Sequence, residues 1–495
     1  MTLSQHICHL PRQPPQVQPW TVYKELRRTS VTKSGGPDDL PARIIKEFAY
    51  ELSFPVTNIL NTSFSQAIVP TQWKEANVVP IPKQFPPKLQ KLRPISLTPL
   101  LAKIAEGFIC KWVTNAIQPN IDVRQFGNQK GLSTTHCLVD ILHQFVSGTN
   151  SSSSIGTLIV TDFTKAFDSV NHEVAIKNLL DLGAPPATVQ WIVNFLTKRK
   201  QRVKYKQNFS DWQTLSCGVP QGTKLGPVIF LACINNAASS TRGSCWKYVD
   251  DLTLGECRHF NGVSHLQEDL NELNNWAMEN LLSLNPSKCQ TMQVYFGRRE
   301  PPPTVYCISD FQLQQVSHVK LLGVILQNDL KWDSHIDDMI GKANRKLFMI
   351  RKLKQTGLTQ KELVTVYKGY VRPILEYAAP VWHPGITQRQ SNQVESVQKR
   401  VCRIVLGHQY VHYAHALSRL DLDQLSDRRI SLCTNFATRT FKSGRFNDWY
   451  QKSKSSHSMT LRSSRVLEQQ FCSTNRLRNS PIPYFTSLVN TCKTI

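Results

Sequence analysis

The chain has 495 residues, with 59 Lys+Arg against 35 Asp+Glu and a formal net charge of +24. Hydrophobic residues make up 40% and aromatics 9%, and they recur along nearly the whole chain, so disorder as the dominant state is excluded. The longest nearly apolar run, Pro227 to Ile234, is far short of the ~20 residues a membrane-spanning helix needs, so no membrane partner is expected.

Length points to roughly two to four domains. The N-terminus, MTLSQHICHLPRQPPQ, lacks a basic start followed by an apolar stretch, so no secretory signal is expected. Thirteen cysteines are scattered without a C-x-x-C pair. That excludes a zinc ribbon and fits a reduced intracellular compartment, nucleus or cytoplasm. The positive excess calls for a polyanion. Nucleic acid fits better than a membrane surface, because the cations are not gathered on one amphipathic helix.

In chain order, residues 1–32 are Pro- and Gln-rich, then basic, and read as a flexible lead-in. The turn Lys33–Asp39 feeds a helix that Asp39 is placed to cap. Trp73 to Pro99 reads as short strands joined by loops, and Ser151–Ser154 as a connector. Ile155–Thr161 is a β-branched apolar run, a buried strand that ends at Asp162. Helices are expected at Glu173–Leu182 and Thr188–Lys198. Cys245–Cys257 reads as strand, acidic turn and strand, with Asp250-Asp251 at the tip. Leu266, Leu270, Leu273, Ala277 and Leu281 recur at helical spacing. Past Trp332 the chain turns helical and basic, at Gly341–Lys354, Gln360–Arg372 and Gln393–Leu406. From about Arg439 it is rich in Ser, Arg and Asn and poorly periodic.

A strand end and a hairpin tip of one sheet can bring Asp162, Asp250 and Asp251 together. Carboxylates held so close repel one another and stay ionised only with cations between them. Two Mg²⁺ ions about 3.5–4 Å apart, with Mn²⁺ as a substitute, form a clamp for in-line phosphoryl transfer. Six cations fall within Lys198, Arg199, Lys200, Arg202, Lys204 and Lys206, alternating with apolar residues as a phosphate track does. Arg345, Lys346, Arg351, Lys352 and Lys354 offer a second such surface.

The blocks DFTKAFDSVNH (Asp162–His172), GVPQGTKLGP (Gly218–Pro227) and YVDD (Tyr248–Asp251) occur in that order. They resemble the central motifs of reverse transcriptases, most closely those of non-LTR, LINE-type retrotransposons. PIPK (Pro80–Lys83), LRPISLTPLLAKIAE (Leu92–Glu106), QFGNQKGLSTTH (Gln125–His136), LNPSKC (Leu284–Cys289) and HVKLLGVILQNDLKW (His318–Trp332) are similar to flanking blocks of that family. The resemblance spans roughly Lys33 to Gly407.

The resemblance implies an α+β right-hand polymerase fold. Fingers and palm on an antiparallel sheet span 33–330, an α-helical thumb and connection 331–438, and a basic tail 439–495. It implies an RNA-directed DNA polymerase that takes an RNA template, a DNA primer and dNTPs. Asp162, Asp250 and Asp251 are its metal ligands. Phe167 is a gate against the 2′-OH, Gln221 and Gly222 line the nucleotide pocket, and Lys83 and Arg93 meet the triphosphate. Lys288 helps pyrophosphate leave as a general acid, and Asp168 is read as a helix cap. About 32 residues precede the Lys33 turn, so the endonuclease that LINE-type elements place first is not expected in this chain. A separate endonuclease or an element-encoded RNA-binding protein is then a candidate partner. A second reading keeps the fold without the catalysis, as a binder of structured RNA; a maturase- or telomerase-like enzyme shares the chemistry.

Overall fold

A computed structural model describes residues 15–84, 86–297, 301, 304–451 and 467–491. The start of the expected lead-in (1–14) and parts of the expected tail (452–466, 492–495) lie outside the described residues.

Two sheets position the site. The first joins β1 (Glu75–Pro82), β2 (Leu92–Leu97) and β4 (Lys200–Tyr205), with the short β5 (Asn208–Phe209) and β6 (Gln213–Thr214) on β4. β1 and β2 run antiparallel with Ile81 opposite Arg93, whereas β1 and β4 run parallel with Asn77 opposite Arg202. The second sheet has five strands. β3 (Ser154–Thr161) is central, flanked by β8 (Asp251–His259), then β7 (Ser244–Tyr248), and on its other side by β9 (Gln290–Tyr295). A hairpin of β10 (Cys307–Ile308) and β11 (Phe311–Gln312) leads into β12 (Gln314–Gln315), which adds to β9 in parallel. The antiparallel sheet expected from the resemblance is therefore mixed. β4 follows a helical crossover and β12 a long return, and such connections permit parallel pairing.

β3 is rich in β-branched residues and buried on both faces, because its side chains alternate. Ile159 joins one core and Leu158 the other. The first core gathers helices α1 (Pro19–Arg27), α2 (Ala42–Glu47), α3 (Ala49–Gln66) and α4 (Leu100–Ile117). The second is built on α5 (Thr134–Gly148). α6 (His172–Asp181), α7 (Pro186–Leu196), α8 (Leu225–Ile234) and α9 (Leu266–Glu279) belong to the first. α10 (Asp333–Gln355), α11 (Gln388–Leu406), α12 (Leu425–Ser443) and α13 (Pro481–Thr491) belong to the second.

Several local expectations change. The lead-in contains α1, which buries Val22 and Leu26, so burial orders residues that composition reads as loose. Asp39 does not cap α2. It sits at φ 50°, and the helix starts after Pro41 with no side-chain cap. Asn171, not Asp168, caps α6 by accepting the Val174 N–H at 3.1 Å. Leu281 lies beyond α9, exposed, at φ 57°. The Gln360–Arg372 stretch is a helix that widens into a π-turn at Tyr367–Val371, just before Pro373 removes a backbone donor. The expected tail contains α13, which buries Ile482, Phe485 and Val489. The second core also runs straight across residue 330, because Leu158, Trp246 and Met292 pack with Leu347 and Val397 in one cluster.

Candidate active site

β3 and β8 pair up to Thr161 opposite Leu252. The next residue out on β3 is Asp162, and the residue before Leu252 is Asp251, so both acids stand at the same end of neighbouring strands. β7 and β8 close with Tyr248 opposite Asp251. The two residues between them, Val249 and Asp250, form the turn, and Val249 takes φ 60°. That first central position of a type II′ turn normally falls to glycine.

The three carboxylates feel one another. Asp250 and Asp251 are open to solvent, yet the surrounding protein desolvates them. Burial raises the Asp250 carboxyl, and Asp162 raises it further, while Arg93 and Lys83 oppose the rise. Asp251 is pushed to about 6 by burial, then by Asp250 and Asp162. Arg93, on β2, and Lys83, just past β1, are thus near enough to Asp250 for their charges to act on it. The Lys288 ammonium donates to Asp162 Oδ2 at 2.8 Å. Asn285 N–H bonds the Asp162 carbonyl at 2.7 Å, tying the Leu284–Cys289 block to this strand end.

Among the described residues, no three His, Cys, Asp or Glu side chains stand as a ready metal-holding group. The donor chemistry nevertheless fits a hard divalent cation: three oxygen donors, mutually repelling, at the end of one sheet.

Phe167 is half-buried, its ring stacked on Phe230 at 4.6 Å between centroids. The Gly218–Lys224 loop runs beside it, with Val219 N–H bonding the Phe167 carbonyl at 2.8 Å. Gln221 donates to Asp168 Oδ1 at 3.4 Å, and its carbonyl accepts the Ser96 N–H of β2 at 2.7 Å. Gly222 must be glycine. Its φ is +112°, and a Cβ there would lie 2.9 Å from the Ser96 carbonyl oxygen.

Arg199 does not belong to the phosphate track. It is 1% exposed, folded back over the Phe195 ring at 4.3 Å. Lys198, at φ 56°, turns the chain out of α7 and sends the next side chain inward. Burial lowers the guanidinium to about 10, and the charge of Glu106 opposes that fall. Lys198 and Lys200 are exposed. Arg202 lies over Phe209 at 4.1 Å and Trp212 at 4.5 Å, and Lys204 over Phe209 at 5.4 Å. On α10, Arg345, Arg351 and Lys352 are exposed, whereas Ala343, Leu347 and Ile350 are buried. Lys346 sits over Tyr370 at 4.6 Å.

Glu106 has a role that the sequence reading did not assign. Glu106 is fully buried on α4, and its Oε2 accepts the Lys224 and Leu225 N–H groups at 2.6 and 3.2 Å. It thereby caps the N-terminus of α8 directly after the Gln221–Gly222 loop. The available signal was a lone acid inside the apolar run LLAKIAEGFIC.

Residues 81–326 match the model of the family described as reverse transcriptase (RNA-dependent DNA polymerase). The chain is 24% identical over 411 residues to the probable RNA-directed DNA polymerase from transposon X-element of Drosophila melanogaster, covering 79% of this chain and 44% of that protein. It is 27% identical over 395 residues to the RNA-directed DNA polymerase from mobile element jockey of Drosophila funebris, covering 76% and 42%. A third relative, the Pol polyprotein from type-1 retrotransposable element R1 of Bradysia coprophila, is 23% identical over 386 residues, 74% of this chain and 37% of its own. The chain thus spans less than half the length of the curated relatives it matches. Residues 81–326 thus form a reverse transcriptase domain, and the chain is similar to proteins carried by transposable elements.

Proposed function

We propose that this chain is an RNA-directed DNA polymerase of retrotransposition, adding dNTPs to a primer 3′-hydroxyl on an RNA template. The observation that carries this reading is the convergence of Asp162, Asp250 and Asp251 at one end of a sheet, within electrostatic reach of Arg93 and Lys83. In this reading the first sheet is the fingers, the second the palm, and the helices after residue 330 the thumb.

The three aspartates hold two divalent ions, Mg²⁺ with Mn²⁺ as substitute. When bound, these supply Lewis-acid activation of the 3′-hydroxyl and neutralise charge on the transferred phosphate. Arg93 and Lys83 bind the triphosphate, a fork on β2 and a point charge one residue past β1. Phe167, fixed against Phe230, fills the space a 2′-OH needs. Gln221 presents a donor and an acceptor to the incoming nucleotide, and Gly222 lets the backbone come close. Lys288, already beside Asp162, gives its proton to the departing pyrophosphate. Lys198, Lys200, Arg202, Lys204, Arg345, Lys346, Arg351 and Lys352 hold the template–primer backbone.

Primer extension on poly(rA)·oligo(dT) with Mg²⁺ tests this. Wild type extends, and Asp250→Asn loses activity on the order of 10³-fold, several kcal/mol of transition-state stabilisation. Tight RNA binding with no extension by wild type would instead identify a non-catalytic RNA binder.

A further inference from the structure

The turn that carries Asp250 is strained, and one neighbouring segment holds it. Val249, a β-branched residue, sits at φ 60°, where such side chains are outliers unless the surroundings fix them. Between α4 and α5 the chain runs alongside β7. Phe126 N–H bonds the Lys247 carbonyl at 2.8 Å, and Lys247 N–H bonds the Arg124 carbonyl at 3.0 Å. Gln125, fully buried, points its side-chain oxygen at two backbone donors, Gly127 N–H at 2.8 Å and Val249 N–H at 3.2 Å. Both partners are donors, so the carboxamide oxygen, not its nitrogen, must face them. Its nitrogen is buried and has no hydrogen-bond partner among the described residues. Such a group is retained at a cost only where the oxygen is needed. Gly127 then approaches the turn so closely that a Cβ would lie 2.5 Å from Val249 N, 2.6 Å from Val249 Cγ2 and 2.9 Å from the Tyr248 carbonyl carbon. No flexible side-chain tip could give way there, because two of those three atoms are backbone.

Behind this pair the segment is anchored. Lys247, its side chain fully buried, donates to Asp122 Oδ2 at 2.7 Å and to the Asn235 carbonyl at 2.6 Å. Arg124 closes on the same carboxylate at 2.8 Å.

We infer that Gln125 and Gly127 form a clamp that fixes the Val249–Asp250 turn and so sets the position of the paired acids. They are positioning residues, acting through the turn and not on substrate. The inference rests on the polymerase reading for its kinetic consequence, but the clamp has a readout of its own.

Two measurements on the full chain test it. Gln125→Met keeps the volume and removes the acceptor. In primer extension it should lower kcat roughly 100-fold, with KM for dTTP and affinity for poly(rA)·oligo(dT) within about twofold of wild type. In hydrogen exchange, the Val249 amide should lose about tenfold or more of its protection while the β3 amides keep theirs. Gln125→Glu retains an acceptor at both N–H groups and should retain the Val249 protection, which separates loss of the clamp from loss of the fold. Val249→Gly removes the strain. On that background Gln125→Met should cost about tenfold or less in kcat.

Unchanged Val249 protection in Gln125→Met overturns the clamp. So does lost protection with unchanged kcat, or an equal kcat cost with and without Val249→Gly. If wild type does not extend primers but its Val249 amide still responds to Gln125→Met, the clamp stands and the polymerase reading falls.

Discussion

Two hairpins in this molecule solve opposite problems. The one at Tyr248–Asp251 is short, its flanking strand β7 buried at Cys245, Trp246 and Lys247, and its turn packed against a neighbouring segment. The one that carries β4, β5 and β6 is exposed, with Tyr205 61% and Phe209 46% accessible, and its cations lie over aromatic rings. On the polymerase reading proposed above, chemistry on a 3′-hydroxyl needs acids fixed to fractions of an ångström, and the buried strand that carries them supplies that rigidity. On the same reading, holding a phosphate backbone needs charge that can follow a moving duplex, and exposure supplies that. Behind the first hairpin's tip the Lys247 charge is therefore paired and buried, while in the second hairpin charge is stacked and open.

The sharpest way to break this contrast is at Asp122. Asp122→Ala leaves the Lys247 ammonium buried and unpaired, and should cost about 3–5 kcal/mol in denaturant unfolding. Lys204→Ala on the open hairpin should cost less than about 0.5 kcal/mol. Equal costs would erase the distinction.

The same pair carries an acid signature. Burial pushes the Asp122 carboxyl up, but hydrogen bonds from Arg124 and Lys247 outweigh it and hold it at about 2, below its ordinary 3.8. A lowered folded-state value stabilises the fold fully above pH ~4, and that stability is lost as pH falls from about 4 to about 2. Denaturant midpoints measured across that range should fall more steeply in wild type than in Asp122→Asn.

Salt dependence sharpens the other side. Lys200→Ala with Lys204→Ala should reduce the slope of log affinity for RNA–DNA duplex against log salt by about 0.7–0.9 per lost phosphate contact. Arg199→Met should leave that slope unchanged, because its guanidinium is already buried over Phe195. The smallest effect belongs to the rings. Phe209→Ala removes one face of the Arg202 stack and should cost about 0.5–1 kcal/mol in unfolding.

Sequence and structure part company along the same line. The strand Ile155–Thr161, the acidic hairpin and the ordered motif blocks were legible, because a buried β-branched run and a turn with two acids are local patterns. Arg199 was not, since a run of cations carries no mark of which one follows a left-handed residue inward. Glu106 and Gln125 were missed as roles for a related reason. Each acts on backbone groups more than 100 residues away in sequence, at Lys224 and Val249, and no spacing rule reports that. The lead-in and tail failed on composition, because Val22 and Leu26, or Phe485 and Val489, need only a few well-placed apolar side chains to dock.

The central strand β3 sends Ile159 into one core and Leu158 into the other, and the second core is closed by Phe485 and Val489. Translation delivers these parts in a fixed sequence. Asp162, Asp250 and Asp251 leave the ribosome at least 230 residues before the helix that packs behind them. A nascent chain therefore exposes its whole acidic centre on a half-covered sheet until that helix arrives and docks.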